Sequence, residues 1–391
     1  MTRQPDRTHR VTIGCFSLFT WLGGGEYAMY YLMKSIDQKR FRPILIVNRQ
    51  GPLTEKAGKS GIEIIIVPFV VAKPVEMLTL KNITLNIRAS LEISRIIQQR
   101  QVDVIHCTDI FSIFLLLPAL ARKRMPVIFN MIVFYSLFRS WLLNFFSFLC
   151  IDHIVTNSSA VRNDLLRKTI GMRSKTTVAH CGVDTTQFYR RNADTKASIR
   201  KSLGIPTDKK VIGFIGRYEV WKGHRTYLQA VRQLSTEKND LCFLLIGGPI
   251  TGTVAPQVTR YYADILQMIR QAQLTDNLFV WDHRDDIPEI MAALDVFVCS
   301  SDYEPFGLVV LEAWETGLPV VVTRTVGAVE VVKDTQGVFI AEPCNPVSFI
   351  KGIEQALQLH PSEINSKRVY GKCSWENYSR KFEALYEKAA A

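Results

Sequence analysis

Two glutamates eight residues apart, Glu304 and Glu312, bracket a proline–glycine break in S-S-D-Y-E-P-F-G-L-V-V-L-E-A-W-E-T-G, residues 300–317. Upstream, Gly216-Arg217-Tyr218-Glu219-Val220-Trp221-Lys222-Gly223 sets two cations between glycines. Carboxylates accept hydrogen bonds from sugar hydroxyls, an Arg forks onto phosphate, and a Lys adds a mobile point charge beside it. The backbone amides of Phe306, Gly307 and Leu308 stand where a helical pattern begins. Free N–H groups and the positive end of the dipole make a helix N-terminus a seat for phosphate. One apparatus of this kind could hold a sugar, a diphosphate and a ribose in line. Negative charge gathering on a departing phosphate would meet Arg217 and Lys222, and a group so placed is worth about 3 kcal/mol of barrier. Taken singly, two surface acids and a solvated basic turn are the commoner explanation. Their order along the chain favours the chemical one.

The positioning elements follow from the apolar runs. Residues 296–299 (V-F-V-C) read as a buried strand, and 308–316 as a helix stopped by G-L-P. Strands are expected at 11–20, 44–47, 62–68, 102–106, 127–129 and 154–156, with helices at 26–36, 56–60, 83–99, 111–122, 137–149 and 160–167. A polar stretch at 183–196 reads as a linker. A second series follows, with strands at 211–215, 241–246, 278–280, 296–299, 320–322 and 338–341. Short strands alternating with helices mean βαβ units and parallel sheets. The expected fold class is α/β, with two Rossmann-like domains whose parallel sheets face a central cleft. The boundaries are 1–190 and 191–373, and a last helical stretch occupies 374–391.

The string E-P-F-G…E after a buried strand, with G-R-x-x-x-x-K-G upstream, resembles the retaining family 4 glycosyltransferases, whose fold is called GT-B. The resemblance runs over nearly the whole chain and is stronger in the C-terminal half. It implies that Glu304 contacts the transferred sugar, that the Phe306–Leu308 amides with Arg217 and Lys222 hold the diphosphate, and that Glu312 takes the ribose. It further implies retention of anomeric configuration without a protein nucleophile, and a last helix that crosses back to complete the first domain. The implied reaction moves a sugar from a nucleoside-diphosphate sugar to an acceptor, with a lipid-linked glycan intermediate of surface polysaccharide synthesis as the expected one. An epimerase or hydrolase of the same fold, or a nucleotide-sugar-binding scaffold that has lost activity, are the competing expectations.

One departure falls on the acceptor side. The family usually carries a His just after the strand at 127–129, where this chain has Asn130-Met131-Ile132-Val133. His106, in D-V-I-H-C-T-D with Asp109 close by, is the candidate to replace it. Gly23-Gly24-Gly25 after the first strand offers loop amides, so Gly24 and Gly25 are expected to bind the donor. The same glycines satisfy a dinucleotide fingerprint, but Val47-Asn48-Arg49-Gln50 lacks the acid that would read a ribose, so of that reading only an NADP variant with Arg49 on the 2′-phosphate is left.

No D-x-D occurs in the 391 residues. The two cations and the helix terminus would supply the neutralisation a metal gives elsewhere, so neither metal nor cofactor is expected. Charge is uneven: residues 1–191 hold 26 Lys and Arg against 12 Asp and Glu, and the remainder 22 against 24. A basic half facing a near-neutral one implies an anionic partner for the first half alone, a membrane surface or a lipid-linked diphosphate in preference to nucleic acid. Eight scattered cysteines without C-x-x-C fit a reducing compartment, and 11–22 runs into Gly23-Gly24-Gly25 where a secretory signal would have a cleavage site. A cytoplasmic protein, peripheral on the inner face of the membrane, is the expectation. The stretch 137–149, L-F-R-S-W-L-L-N-F-F-S-F-L, is apolar on nearly every face and is read as a buried helix. Docking on a membrane, helped by Arg122-Lys123-Arg124, is its alternative.

Overall fold

The computed structural model describes residues 10–70, 79–248, 256–272, 277–359, 364 and 373–391. The chain divides into two units, residues 1–182 with 375–391 and residues 183–374.

In unit 1 the strands are β1 (Val11–Phe16), β2 (Phe41–Val47), β3 (Glu63–Ile66), β4 (Val104–Cys107), β5 (Val127–Met131), β6 (His153–Thr156) and β7 (Thr176–Val178). Helices α1 (Gly24–Ser35), α2 (Pro52–Lys59), α3 (Leu80–Gln99), α4 (Ile110–Arg122), α5 (Leu137–Leu149) and α6 (Ser159–Lys168) lie between them. The strand order is β3-β2-β1-β4-β5-β6-β7, and every pairing is parallel. Strands covered on both faces read as continuous apolar runs, and β4 and β5 are buried at every residue. Polar caps start the helices: Asp109 Oδ1 accepts from the Phe111 N–H at 2.8 Å, and the Ser158 hydroxyl from the Val161 N–H at 3.2 Å.

The C-terminal helix (Trp375–Ala390) belongs to unit 1. Its Trp375 ring stacks on Tyr31 at 4.6 Å, and Glu383 accepts from the Asp37 N–H at 2.9 Å. Unit 1 is therefore discontinuous in sequence.

Unit 2 holds β8 (Lys210–Ile215), β9 (Leu241–Ile246), β10 (Leu278–Trp281), β11 (Val296–Cys299), β12 (Val320–Thr323) and β13 (Val338–Ala341). Its helices are α7 (Ala193–Leu203), α8 (His224–Glu237), α9 (Pro256–Gln271), α10 (Ile287–Ala293), α11 (Leu308–Glu315), α12 (Val329–Val332) and α13 (Pro346–Gln358). The order β10-β9-β8-β11-β12-β13 is again all parallel. It reverses direction between β8 and β11, the place where doubly wound sheets bind ligands.

Four sequence expectations need correction. The first strand stops at Phe16, because the Ser17 hydroxyl donates to the Phe19 carbonyl at 2.8 Å and turns the chain. The last four residues of the stretch read as linker, 193–196, open helix α7, started by Asn192, whose Oδ1 accepts from the Thr195 N–H at 2.8 Å. The compact units divide at 182/183 and 374/375. Helix α5 is not buried all round. It buries Ser140, Leu143, Phe146 and Ser147, and turns Leu137, Phe138, Trp141, Phe145 and Phe148 outward.

Candidate functional site

Residues 216–223 and 300–308 follow the adjacent strands β8 and β11, at the point where the strand order reverses. The first loop is held at its root by the Gly216 N–H donating to the Ile246 carbonyl at 2.9 Å. Tyr218 is buried, with its ring against His224 at 4.7 Å and Tyr262 at 4.6 Å. A single 3₁₀ turn, Val220–Lys222, then brings Lys222 inward.

The two loops are tied together by backbone. The Asp302 N–H donates to the Trp221 carbonyl at 2.8 Å, and the Ser300 hydroxyl to the Gly223 carbonyl at 2.9 Å. Gly223 stands at φ +75°, and a Cβ there would lie 1.8 Å from the Ser300 carbonyl oxygen. Only glycine permits this approach.

Residues 301–308 are pinned on their other side. The Ser301 carbonyl accepts from the Thr323 and Thr325 hydroxyls at 2.5 and 3.3 Å. The Gly327 N–H donates to the Glu304 carbonyl at 3.0 Å, and the Ala328 N–H to the Phe306 carbonyl at 2.7 Å. Glu304 itself is 8% exposed. Gly307, at φ +90° and ψ 65°, precedes α11 and brings no side chain to cap it. The Val310 N–H donates to the Gly307 carbonyl at 3.0 Å, and the amides ahead of it at the start of α11 have no side-chain cap.

Lys222 Nζ forms a short ion pair with Glu304 Oε2. The two side chains are 15% and 11% exposed, and the ammonium also sits 4.4 Å from the centre of the Trp221 ring. That ring stacks with Tyr303 at 5.5 Å. An ion pair this dry is strong but expensive to hold. Glu312, one turn into α11, has no hydrogen bond or ion pair on its carboxylate among the described residues. It keeps part of its surface accessible, but protein crowds its carboxyl group. Desolvation pushes its pKa up to about 7. Arg217 is exposed and makes no ion pair among the described residues.

Glu304, Lys222, Phe306, Gly307, Leu308 and Glu312 therefore gather on one edge of unit 2, with Arg217 on the same loop as Lys222. Sequence reasoning missed the direct Lys222–Glu304 pair and the Trp221–Tyr303 stack. The aromatic neighbours in W-K-G and Y-E-P were the available cue. Among the described residues no group of three His, Cys, Asp or Glu is placed to hold a metal ion.

In unit 1, Gly24 and Gly25 form the first turn of α1, where the Glu26 carboxylate accepts from the Gly23 N–H at 3.1 Å. Asp109 is partly buried at the start of α4, and burial raises its pKa. His106 is placed otherwise than an acceptor-side residue requires. It is wholly buried under the C-terminal helix, its Nδ1 is 2.6 Å from the Tyr386 hydroxyl, and burial lowers its pKa to about 3. An imidazole with no accessible atom is a core residue. Asn130 is also buried, its amide donating to the Tyr378 hydroxyl at 2.8 Å.

Two family models match the chain, "Glycosyltransferase Family 4" over residues 22–187 and "Glycosyl transferases group 1" over 195–370. The chain belongs to the family 4 glycosyltransferases. It is 28% identical over 242 residues to the D-inositol 3-phosphate glycosyltransferase of Corynebacterium urealyticum, covering 60% of this chain and 56% of that protein. The chain spans 56 to 60% of the length of the first curated relatives it matches. The crystal structure of the Anabaena protein HepE in complex with UDP and glucose matches with a TM-score of 0.81 and 17% identity, covering 97% of this chain and all of that one. A glycosyltransferase from Rickettsia africae matches with a TM-score of 0.80 and 18% identity, over 97% of this chain and 98% of that one. The architecture is the GT-B one: two α/β units, each built on a parallel sheet.

Proposed function

We propose that this chain moves a sugar from a nucleoside-diphosphate sugar to an acceptor, with retention of anomeric configuration and without a metal ion. The observation that carries this is the Lys222–Glu304 pair beside the uncapped start of α11, at the strand-order reversal of unit 2. The HepE structure, described as a complex with UDP and glucose, shares the fold and supports a nucleotide-sugar donor.

In this reading the diphosphate accepts hydrogen bonds from the amides of Phe306 to Leu308 and meets Arg217 and Lys222. Lys222 then turns from Glu304 toward phosphate, which frees Glu304 to accept from hydroxyls of the transferred sugar. The desolvated, unpartnered carboxyl of Glu312 takes the ribose hydroxyls. When the bond between the anomeric carbon and the phosphate oxygen breaks, negative charge grows on the β-phosphate. Cations and helix amides already in place stabilise that charge more than they stabilise the bound substrate. The acceptor hydroxyl forms the new bond on the face the phosphate leaves, and its proton passes to the departing phosphate. No side chain forms a covalent intermediate.

The acceptor is proposed to be a lipid-linked glycan intermediate of surface polysaccharide synthesis, which would hold the protein peripherally at a membrane. No described helix is long and apolar enough to cross one. The test is a donor panel of UDP, GDP and ADP sugars read by thermal shift, followed by transfer to a lipid-diphosphate glycan with the matching donor. Stabilisation by none of the donors overturns the reading.

A further inference from the structure

Helix α5 (Leu137–Leu149) has its amphipathicity reversed. Its inward stripe contains Ser140 and Ser147, at 0 and 2% exposure, with Leu143 and Phe146. Its outward stripe is Phe138, Trp141, Phe145 and Phe148, between 48 and 68% exposed. The spacing of three, four and three residues puts these rings on one line. From Ser140 to Leu149 the helix carries no charge. The apolar surface continues beyond the helix. Phe114 of α4, 45% exposed, meets the buried Phe146 edge-on at 5.3 Å, and Phe146 meets the outward Phe145 edge-on at 5.4 Å. Ile170, 82% exposed, is held beside α5 by its N–H, which donates to Asn144 Oδ1 at 3.3 Å. Single exposed apolar residues are ordinary, but a contiguous aromatic face marks an interaction surface.

The surroundings are basic. Residues 80–175 hold thirteen Lys and Arg against five Asp and Glu, so this stretch alone carries +8. Arg139 on α5 lies over the Phe111 ring at 5.3 Å, which places a cation beside the aromatic line. Lys123 and Arg124 follow the end of α4. A second copy of this chain would bring the same positive charge to the contact and be repelled. An anionic bilayer brings the opposite charge, together with an apolar phase to receive the rings.

We propose that this face of unit 1 docks on the anionic surface of a lipid bilayer. Helix α5 lies in the plane of the interface, Phe138, Trp141, Phe145 and Phe148 sink to the headgroup–acyl boundary, and the flanking cations meet lipid phosphates. The proposal adds a docking surface to the transferase reading and rests on that reading only for its purpose.

The test is co-sedimentation of the full chain with phosphatidylcholine vesicles, with and without phosphatidylglycerol. The wild type should pellet with the anionic vesicles, less so as salt rises. Trp141→Asp with Phe145→Asp should lower the partition by about tenfold or more. Phe138→Ser with Phe148→Ser, checked for an unchanged melting temperature, serves if the first pair fails to fold. Val347→Asp, at a position 69% exposed in unit 2, should leave the partition unchanged. Wild type that stays in solution, variants that pellet as well as wild type, or a wild-type dimer split by Trp141→Asp would each overturn the proposal. The thermal shift caused by a nucleoside diphosphate should survive in the α5 variants. Loss of that shift in a wild type that still pellets would sink the transferase reading and leave the docking surface standing.

Discussion

Replacing Lys222 by Met tests the ion pair and the chemistry in one experiment. The change removes the partner of Glu304, a carboxylate whose side chain is 11% exposed. Breaking a fully buried pair costs about 3–5 kcal/mol, mostly because the remaining charge is left uncompensated. Residual exposure of both groups brings the expectation here to about 2 kcal/mol. For a unit of this size that is a fall in melting temperature of roughly 4–8 °C. Glu304→Gln alone should cost a similar or smaller amount. The double variant should be more stable than the two losses combined imply, by at least about 1 kcal/mol of coupling. Transfer should behave differently. Each single change should reduce kcat/KM by about a hundredfold or more, and the double should recover none of it, because phosphate and sugar each lose a contact. Calorimetric or fluorescence-monitored unfolding gives the first quantity, and turnover of a radiolabelled donor gives the second. Additive stability losses would show that the pair is not formed in the free protein. Recovery of transfer in the double variant would show that both groups act only through folding.

Hydroxyls donating to the Glu312 carboxylate favour its ionised form, so donor binding should lower a pKa that stands at about 7 in the free protein. Donor affinity should be full above that pH and fall below it by up to about tenfold per unit, and titration calorimetry of Glu312→Gln should show a flat profile. The same group affects stability with the opposite sign: its burial costs nothing at acid pH, and the cost grows as pH rises from its ordinary value of 4.5 to about 7. Gly223→Ala should remove donor binding and lower the melting temperature, since the new methyl meets the Ser300 carbonyl. Transfer should persist in EDTA without added divalent ions; activity lost there and restored by Mn²⁺ would contradict the metal-free reading. Donor incubated without acceptor should turn over slowly, whereas rapid release of free or epimerised sugar would favour the hydrolase or epimerase alternative.

Much of the fold was legible because parallel strands buried on both faces must be apolar throughout. Runs such as Val296–Cys299 and Leu241–Ile246 have no other reading at that length. The E-P-F-G break was equally plain, since proline and glycine mark where a strand pattern gives way to a helix. The Lys222–Glu304 pair was not legible, because it joins loops 82 residues apart in sequence that only the β8–β11 neighbour relation brings together. His106 misled because a histidine at a strand end looks available; its burial is set by the C-terminal helix, whose Tyr386 lies 280 residues further on. Helix α5 misled for a different reason. Hydrophobicity alone reads it as buried, but the small side chains of Ser140 and Ser147 are what let its inner face pack closely, leaving the bulky rings outside. Size along each stripe carried the information that polarity did not.

The central claim is that the start of α11, with Lys222 beside it, receives a diphosphate while Glu304 and Glu312 take the hydroxyls at either end. It is tested most directly by a crystal structure of the full chain with the nucleotide sugar that gives the largest thermal shift. The account predicts diphosphate oxygens within hydrogen-bond distance of the Phe306–Leu308 amides, Lys222 turned from Glu304 to phosphate, and both carboxylates on sugar hydroxyls. A diphosphate bound elsewhere, with the Lys222–Glu304 pair still closed, would contradict it.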